Sequence, residues 1–359
     1  MRTDGGTFVI AEAGVNHNGS MDLALRLVDA AAEAGADAVK FQTFRAERLV
    51  TRDAPKARYQ ERATGEGGGQ FGMIRALELS EADHEALAAH CAARGIAFLS
   101  TPFDSGSLRL LVERFGMGTI KVSSGDLTNA PFLLDVARLA PEVILSTGMG
   151  TLADVEAALG VLAFGFTAAA GAAPGREAFE RAYASPEGRE ALAGRVCLLH
   201  CTTEYPAPVD EVNLLAMGTM ADAFGLEVGY SDHTEGIHVA VAAVALGATV
   251  IEKHFTLDRT LPGPDHKASL EPAALRAMVA AIRDVERALG DGVKRPSASE
   301  WKNREVARKS LVAARALKAG ERLEVACKRP GTGLSPFDYW AAQERVAGRD
   351  YGPDEAIDG

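Results

Sequence analysis

Eight apolar, strand-like runs along the chain each end on a polar or ionisable residue, and a helical pattern follows most of them. A buried parallel strand is expected to be continuously apolar, and its carboxyl end is where α/β folds place the side chains that bind ligands. The spacing therefore predicts an α/β protein built as a (β/α)₈ TIM barrel, with the active site at the carboxyl-terminal rim. The runs end at Glu12, Gln42, Thr101, Ser124, Thr147, His200, His233 and His254.

The segments between these runs carry start and stop signals of helices. Ser20 is expected to cap a helix that Gly35 ends, and Ser80 with Asp83 forms a capping-box pattern for a helix that Gly95 ends. The remaining connecting helices are predicted over residues 105–115, 131–139, 151–164, 213–224, 235–246 and 272–289.

The length of 359 residues exceeds a barrel of about 250 residues and leaves room for a small second domain. After Gly290 the sequence becomes polar and contains Pro296, which is typical of a linker. We therefore predict a catalytic barrel over residues 1–290, a linker over 291–306 and a small β-rich domain over 307–359. A domain of roughly 50 residues has little core of its own, so we expect it to dock on a barrel.

Two segments interrupt the βα rhythm. Residues 51–72 follow the second strand and include Lys56, Arg58, Tyr59 and a run of glycines at 67–69, so this loop is interpreted either as a lid or as a surface excursion. Residues 167–195 are rich in Ala and Gly with one extra helix expected over 176–183. They precede the sixth strand, away from the catalytic rim, which favours decoration or subunit contact over catalysis.

The net charge of −11 argues against nucleic acid or an anionic membrane as a partner. No apolar stretch is long enough to span a membrane, and the amino terminus lacks the pattern of a signal peptide, so a cytoplasmic protein is expected. The four cysteines do not form a zinc-binding spacing and are interpreted as buried thiols in a reducing compartment.

Two histidines, His233 and His254, end neighbouring strands of the predicted barrel. Because such strands lie about 4.8 Å apart, the two imidazoles could share one divalent cation that activates a carbonyl group. The alternative is that each histidine only satisfies a hydrogen bond at the rim. Glu12 and Glu252 are carboxylates at strand ends that could ligate a metal, orient a ligand or transfer protons.

Two lysines, Lys40 and Lys121, lie within apolar strands, where an unpaired ammonium group is costly and needs an anion. Hydroxyl groups follow on neighbouring strand ends, and Gly148-Met149-Gly150 precedes a helix whose N–H groups could hold phosphate. This pattern indicates a site for a phosphate and a carboxylate. The alternative is a Lys–Glu pair inside the barrel. The hydroxyl-bearing residues are Thr101, Ser123, Ser124, Ser146 and Thr147.

These residues lie in strings that resemble the sialic acid synthase family, whose members make nine-carbon nonulosonic acids from phosphoenolpyruvate and an amino-hexose. The resemblance runs nearly end to end, and KRPGTG (328–333) resembles the C-terminal antifreeze-like (SAF) domain of such synthases. The strings are IAEAGVNHNGS (10–20), KFQTF (40–44), LSTPFD (99–104), KVSSGD (121–126), ILSTGM (144–149), HCTTEYPAP (200–208), YSDHTEG (230–236), EKHFTL (252–257) and PGPDHKAS (262–269).

The resemblance implies a role for each matching position. The phosphoenolpyruvate site would be formed by Lys40, Thr101, Lys121, Ser124, Ser146 and Thr203. The sugar site would be formed by Gln42, Asp126, Tyr205, Asp265 and Arg329. His233 and His254 would hold a divalent metal, with Mn²⁺ expected before Mg²⁺ or Co²⁺, and Glu12 would act beside the reacting carbons. Arg329 would reach the partner barrel in a domain-swapped homodimer. Some relatives carry Glu where Asp126 stands and Asn where Thr203 stands.

Several alternatives remain open from the sequence. The acceptor is either N-acetylmannosamine, giving N-acetylneuraminate, or 2,4-diacetamido-2,4,6-trideoxymannose, giving N,N'-diacetyllegionaminate. A competing enzymatic interpretation is a class I aldolase that uses Lys40 or Lys121 as a Schiff base. A third interpretation is a non-catalytic barrel that binds carbohydrate.

Overall fold

The structure is a computed structural model that describes residues 6–58, 60–61, 65 and 69–359. The chain divides into two compact units, one ending at Leu289 and the other running from Gly290 to Gly359. Among the described residues, no helix is long and apolar enough to cross a membrane.

The first unit is built on eight parallel strands: Phe8–Gly14 (β1), Ala38–Thr43 (β2), Ala97–Pro102 (β3), Thr119–Val122 (β4), Glu142–Ser146 (β5), Val196–Cys201 (β6), Glu227–Asp232 (β7) and Val250–His254 (β8). Their order in the sheet is β3-β2-β1-β8-β7-β6-β5-β4. The strands β3 and β4, at the two ends of this order, lie beside each other, so the sheet forms a nearly closed barrel. Each of the eight apolar runs forms one strand, which confirms the predicted fold class.

The strand register brings distant polar residues to one rim. Glu12 on β1 is opposite Lys40 on β2 and opposite His254 on β8. Ser231 on β7 is opposite Glu252 on β8. Because side chains alternate along a strand, residues two positions apart on one strand lie on the same face of the sheet.

Helices cover the barrel where the capping signals predict them. Ser20 accepts a hydrogen bond from the backbone of Leu23 at 3.4 Å, and the helix ends at Gly35 with φ of 81°. Ser80 and Asp83 form the expected capping box. The helices are Met21–Ala34, Ala46–Leu49, Gln70–Arg75, Glu81–Arg94, Ser105–Arg109, Ala130–Leu139, Leu152–Thr167, Arg176–Ala184, Pro186–Ala193, Ala216–Phe224, His238–Ala245 and Pro272–Leu289.

Three predicted helices differ in detail. The helix expected over 105–115 changes to π-helical geometry over Leu110–Arg114. The helices expected to start at 213 and 235 begin later, at Ala216 and His238, because turns occupy the preceding residues.

The segment 167–195 contains two helices rather than one. The predicted helix is present as Arg176–Ala184, and Pro186–Ala193 follows it with Ser185 as its cap. Phe179 contacts Phe164 edge to face at 5.3 Å between ring centroids, which packs the segment on the preceding helix.

The loop over 51–72 is described only in part. Lys56 donates a hydrogen bond to the carbonyl of Gly65 at 3.1 Å, and the helix Gln70–Arg75 begins within the predicted loop. Tyr59, Gly67 and Gly68 lie outside the described residues.

The second unit contains a helix that was not predicted. The helix Ala298–Ala307 overlaps the predicted linker over 291–306, and its capping box of Ser297 and Glu300 was overlooked. The strands Ser310–Ala313 (β9) and Val325–Lys328 (β10) pair antiparallel, and the short helix Tyr339–Gln343 follows. The unit has a small core of its own around Leu311, Leu317 and Ala342.

Candidate active site

A cavity of about 370 Å³ opens at the carboxyl ends of the barrel strands. This volume falls in the range of small-molecule sites. Most residues singled out from the sequence line it, although they are spread over 254 positions of the chain. They are Glu12, Lys40, Gln42, Thr101, Lys121, Ser124, Ser146, Thr203, Tyr205, His233, His254 and Asp265.

Two of the expected sugar-binding residues are not part of this lining. Asp126 lies half-buried in the turn after β4, where its carboxylate accepts a hydrogen bond from Asn129 at 3.0 Å. Arg329 belongs to the second unit.

A buried charge network occupies the floor of the cavity. The ammonium group of Lys40 lies 2.6 Å from Glu12 and 3.5 Å from Glu252, and it donates a hydrogen bond to Thr101 at 2.9 Å. Lys121 lies 3.4 Å from the other oxygen of Glu252. Two cations therefore balance two carboxylates, and both lysines also line a cavity that could admit an anion. The Lys–Glu pairing and a site for an anion, the two alternatives from the sequence, are thus compatible.

The two carboxylates of the network have opposite pKa shifts. Burial raises the pKa of Glu12 to about 7, against the opposing effect of Lys40. Burial would also raise the pKa of Glu252, but the ammonium groups of Lys121 and Lys40 outweigh it and hold that pKa well below its usual range. Glu252 therefore stays ionised, whereas Glu12 can gain or lose a proton near neutral pH, which suits general acid–base chemistry.

The two histidines lie side by side at the rim. The ring centroids of His233 and His254 are 5.4 Å apart, and the ring of Tyr205 lies 4.2 Å from that of His233 and 5.4 Å from that of His254. The Nδ1 atom of His233 is 2.6 Å from the carbonyl oxygen of Thr202, which holds the ring in place. This partner is typical of a metal-binding histidine, because a backbone carbonyl fixes the tautomer.

Both imidazoles are suited to bind a cation. Burial lowers the pKa of His233 to about 4 and that of His254 well below its usual range, so both rings are neutral at neutral pH. The buried Nδ1 of His254 has no hydrogen-bond partner and lies 3.9 Å from Asp265. Among the described residues no cluster of three or more metal-binding side chains occurs. His233 and His254 therefore fit as two imidazole ligands of a divalent cation, whose other coordination positions would be left for water or substrate.

The hydroxyl-rich side of the cavity is tightly packed around Gly148. The Oγ atom of Ser124 accepts a hydrogen bond from the backbone N–H of Gly148 at 3.0 Å and lies 3.1 Å from the Cys201 sulfur. A Cβ atom at Gly148 would lie 2.4 Å from the Thr203 hydroxyl oxygen, so only glycine fits there. The Thr203 hydroxyl is buried without a hydrogen-bond partner. A ligand oxygen would satisfy it.

The helix that follows Gly148-Met149-Gly150 is less suited to phosphate than its sequence indicates. Asp154 accepts a hydrogen bond from the backbone of Thr151 at 2.8 Å and completes a capping box at the start of Leu152–Thr167. A carboxylate at this terminus competes with a bound anion. The lysines and hydroxyl groups are therefore better placed than this helix terminus to hold an anion.

The structure adds Ser231 and Cys201 to the residues singled out from the sequence. Ser231 donates a hydrogen bond to Glu252 at 2.9 Å and lies 3.4 Å from Nε2 of His233. Ser231 stands two residues before His233, so the strand period of two could have identified it. Cys201 is the last residue of β6, where the sequence indicates only a buried thiol.

Comparison with known proteins assigns the family. A sequence profile described as the NeuB family matches residues 27–294. The chain belongs to the NeuB family. The match covers most of the barrel unit, including both histidines and both lysines of the cavity.

Relatives in the NeuB family are similar over almost the whole chain. An N,N'-diacetyllegionaminic acid synthase of Campylobacter jejuni is 47% identical over 98% of both chains. A protein of the same name from Legionella pneumophila is 45% identical over 92% of this chain and 87% of its own. The crystal structure of an N-acetylneuraminic acid synthetase from Leptospira borgpetersenii, in complex with citrate, has 32% identity, a TM-score of 0.66 and coverage of 83% of this chain and 90% of its own.

Proposed function

We propose that this protein condenses phosphoenolpyruvate with the open-chain form of an N-acylated amino-hexose, giving a nonulosonic acid and phosphate. The observation that carries the proposal is the single cavity in which two neutral imidazoles, two lysines and a carboxyl group with a pKa near 7 meet. The names of two NeuB-family relatives support 2,4-diacetamido-2,4,6-trideoxymannose as the acceptor and N,N'-diacetyllegionaminate as the product. N-acetylmannosamine is the second candidate, supported by the Leptospira structure.

The reaction forms one carbon–carbon bond and breaks one carbon–oxygen bond. C3 of phosphoenolpyruvate attacks the aldehyde carbon of the sugar, water adds to C2, and phosphate leaves from C2 with its bridging oxygen. Lys40 and Lys121 hold the anionic groups and offset the charge that develops there. The hydroxyl groups of Thr101, Ser124, Ser146 and Thr203 orient the same molecule by hydrogen bonds.

The sugar aldehyde is expected beside His233 and His254. A divalent cation bound there, Mn²⁺ before Mg²⁺ or Co²⁺, would supply Lewis-acid polarisation of the aldehyde oxygen. Glu12 lies beside Lys40 and opposite His254 in the strand register, where it can donate or accept a proton during the water addition. Gln42, Tyr205 and Asp265 line the same cavity and would hold the sugar chain.

The assay that tests the proposal is phosphate release from phosphoenolpyruvate with each aldose in turn, together with the mass of the product. We expect one phosphate per nine-carbon acid, with faster turnover of the diacetamido sugar. Absence of phosphate release with every aldose, in the presence of Mn²⁺, would refute the proposal.

Two experiments separate the alternatives. Borohydride reduction in the presence of pyruvate traps a covalent adduct on a class I aldolase, and no adduct is expected here. A non-catalytic barrel would release no phosphate under any condition. We expect phosphate release, its loss on chelation and its return when Mn²⁺ is added.

We also propose a domain-swapped homodimer in which Arg329 of one chain completes the sugar site of the other. Large apolar side chains are exposed on both units, and we expect the dimer interface to cover them. Phe337 and Trp340 in the second unit are 96% and 75% exposed, and Met149 and Leu215 in the barrel unit are 73% and 75% exposed.

Subunit mixing tests the swap directly. Lys121→Ala and Arg329→Ala homodimers should each be inactive or weak. In a swapped mixed dimer, one barrel keeps Lys121 and receives Arg329 from the other chain, so activity should return. Without a swap, mixing the two variants restores no activity, and that result would contradict the proposal.

A further inference from the structure

One side of the reactive cavity is apolar. We name it the apolar wall and define it as Val15, Phe44, Leu49, Ile74, Leu77 and Phe103. These side chains form a hydrophobic cluster of their own, separate from the large barrel core. Phe44 and Phe103 meet edge to face at 6.1 Å between ring centroids.

All six side chains of the apolar wall line the cavity that contains the lysines and histidines. Val15, Phe44 and Phe103 directly follow β1, β2 and β3, so the wall stands above these three strands. His233 and His254 are at the ends of β7 and β8, and Lys121 is on β4. The cavity therefore has a charged, hydroxyl-rich side and an apolar side.

The apolar side is poorly suited to bind phosphoenolpyruvate, whose phosphate and carboxylate need cations and hydrogen-bond donors. Apolar surface contributes to binding only when apolar groups of a ligand cover it, and each Å² that is buried then stabilises the complex by about 25 cal/mol. The second substrate must therefore supply those groups. A hexose with hydroxyl groups at C4 and C6 offers few of them, whereas a 6-deoxy sugar with two acetamido groups offers three methyl groups.

We infer that the apolar wall is the acceptor-selecting surface, which favours a 6-deoxy, N-acylated aldose through contacts with its methyl groups and disfavours hydroxyl groups at the same positions. This inference rests on the proposed function. It assigns the choice of sugar to the apolar wall, whose half-buried members Leu49, Ile74 and Phe103 expose the surface that a methyl group would cover.

The size of the selection follows from the chemistry of apolar pockets. One methyl or methylene group in such a pocket changes kcat/KM by about 10- to 200-fold, and an added hydroxyl group is rejected by about 100-fold at most. We therefore expect kcat/KM for the diacetamido-trideoxy sugar to exceed that for N-acetylmannosamine by a factor of some tens, up to about 100.

Ile74 offers a matched pair of variants because it is only half-buried. Ile74→Thr keeps the branch at Cβ but replaces the ethyl group with a hydroxyl group. Ile74→Val, which has nearly the size of threonine, removes one methylene group and stays apolar. The kcat/KM for both sugars and the KM for phosphoenolpyruvate are measured with each. Leu49→Ser, at another half-buried position of the wall, is the second polar variant.

We expect Ile74→Thr and Leu49→Ser to lower the ratio of the two kcat/KM values by about 10-fold while the KM for phosphoenolpyruvate stays unchanged. Ile74→Val should keep most of the preference. An unchanged ratio in both polar variants, with turnover of both sugars, overturns the assignment of the wall and leaves the proposed function standing. No phosphate release by the wild type with either sugar overturns both.

Discussion

A buried ion pair between β7 and β8 gives a quantitative test of the barrel. The ammonium group of Lys253 lies 2.8 Å from Asp232 and 2.6 Å from the carbonyl oxygen of Thr234, and both charged side chains are 0% exposed. Each member stands one residue before a proposed metal ligand, His233 or His254. The pair therefore fixes the two strand ends from their outer face.

Lys253→Met leaves the Asp232 carboxylate buried without its cation. Removing one partner of a buried pair costs about 3–5 kcal/mol. The backbone and hydroxyl of Thr234 still donate to the other oxygen of Asp232 at 2.8 Å each, so we expect the lower end, about 3 kcal/mol.

Urea unfolding followed by far-UV circular dichroism measures this cost from the shift in midpoint at constant slope. Both tryptophans, Trp301 and Trp340, lie in the second unit, so their fluorescence reports on that unit instead. The control is Arg181→Met, because Arg181 and Glu177 form an ion pair with both side chains 78% exposed. Its loss should cost no more than about 1 kcal/mol.

The double variant Asp232→Asn/Lys253→Met separates charge from packing. Asparagine keeps an acceptor for Thr234 and leaves no uncompensated charge, so the double variant should be more stable than Lys253→Met alone. If Lys253→Met costs as little as Arg181→Met, the pair is not buried in solution and the reasoning is refuted.

Three further predictions concern the cavity and the loop after β1. His254→Ala should lower turnover at least about 100-fold through loss of Lewis-acid stabilisation, measured by phosphate release, and near-normal rates would refute the metal role. Gly148→Ala should raise the KM for phosphoenolpyruvate, because its Cβ would lie 2.4 Å from the Thr203 hydroxyl oxygen; an unchanged KM would count against this packing. Burial lowers the pKa of His17 from 6.5 to about 4, so the unfolded state binds more protons between these values. The free energy of unfolding should fall by roughly 3 kcal/mol as the pH falls from 6.5 to 4, and His17→Asn should flatten this slope; equal slopes would contradict the pKa shift.

The barrel could be predicted because its signals are local and repeated. Each strand is a continuous apolar run, and a polar residue marks its end, so Glu12, Lys121 and His254 could be assigned to one rim before their contacts were known. The helix over Pro272–Leu289 was predicted with its observed bounds.

Features that depend on contacts between distant residues could not be predicted in the same way. The pairing of Lys40 with both Glu12 and Glu252 depends on the register of three strands. The apolar wall is similarly hidden, because its members come from four separate segments and resemble ordinary core residues. Ala298–Ala307 was missed for a different reason: its polar composition resembled a linker although Ser297 and Glu300 carried a capping signal.

The central claim is that the two rim histidines hold a divalent cation beside two lysines that bind phosphoenolpyruvate. Titration of Mn²⁺ followed by electron paramagnetic resonance tests it without relying on turnover. We predict one bound Mn²⁺ per chain in the wild type and in Lys121→Met, and greatly weakened binding in His233→Ala and in His254→Ala. Mn²⁺ binding that is unchanged in both histidine variants would contradict the account.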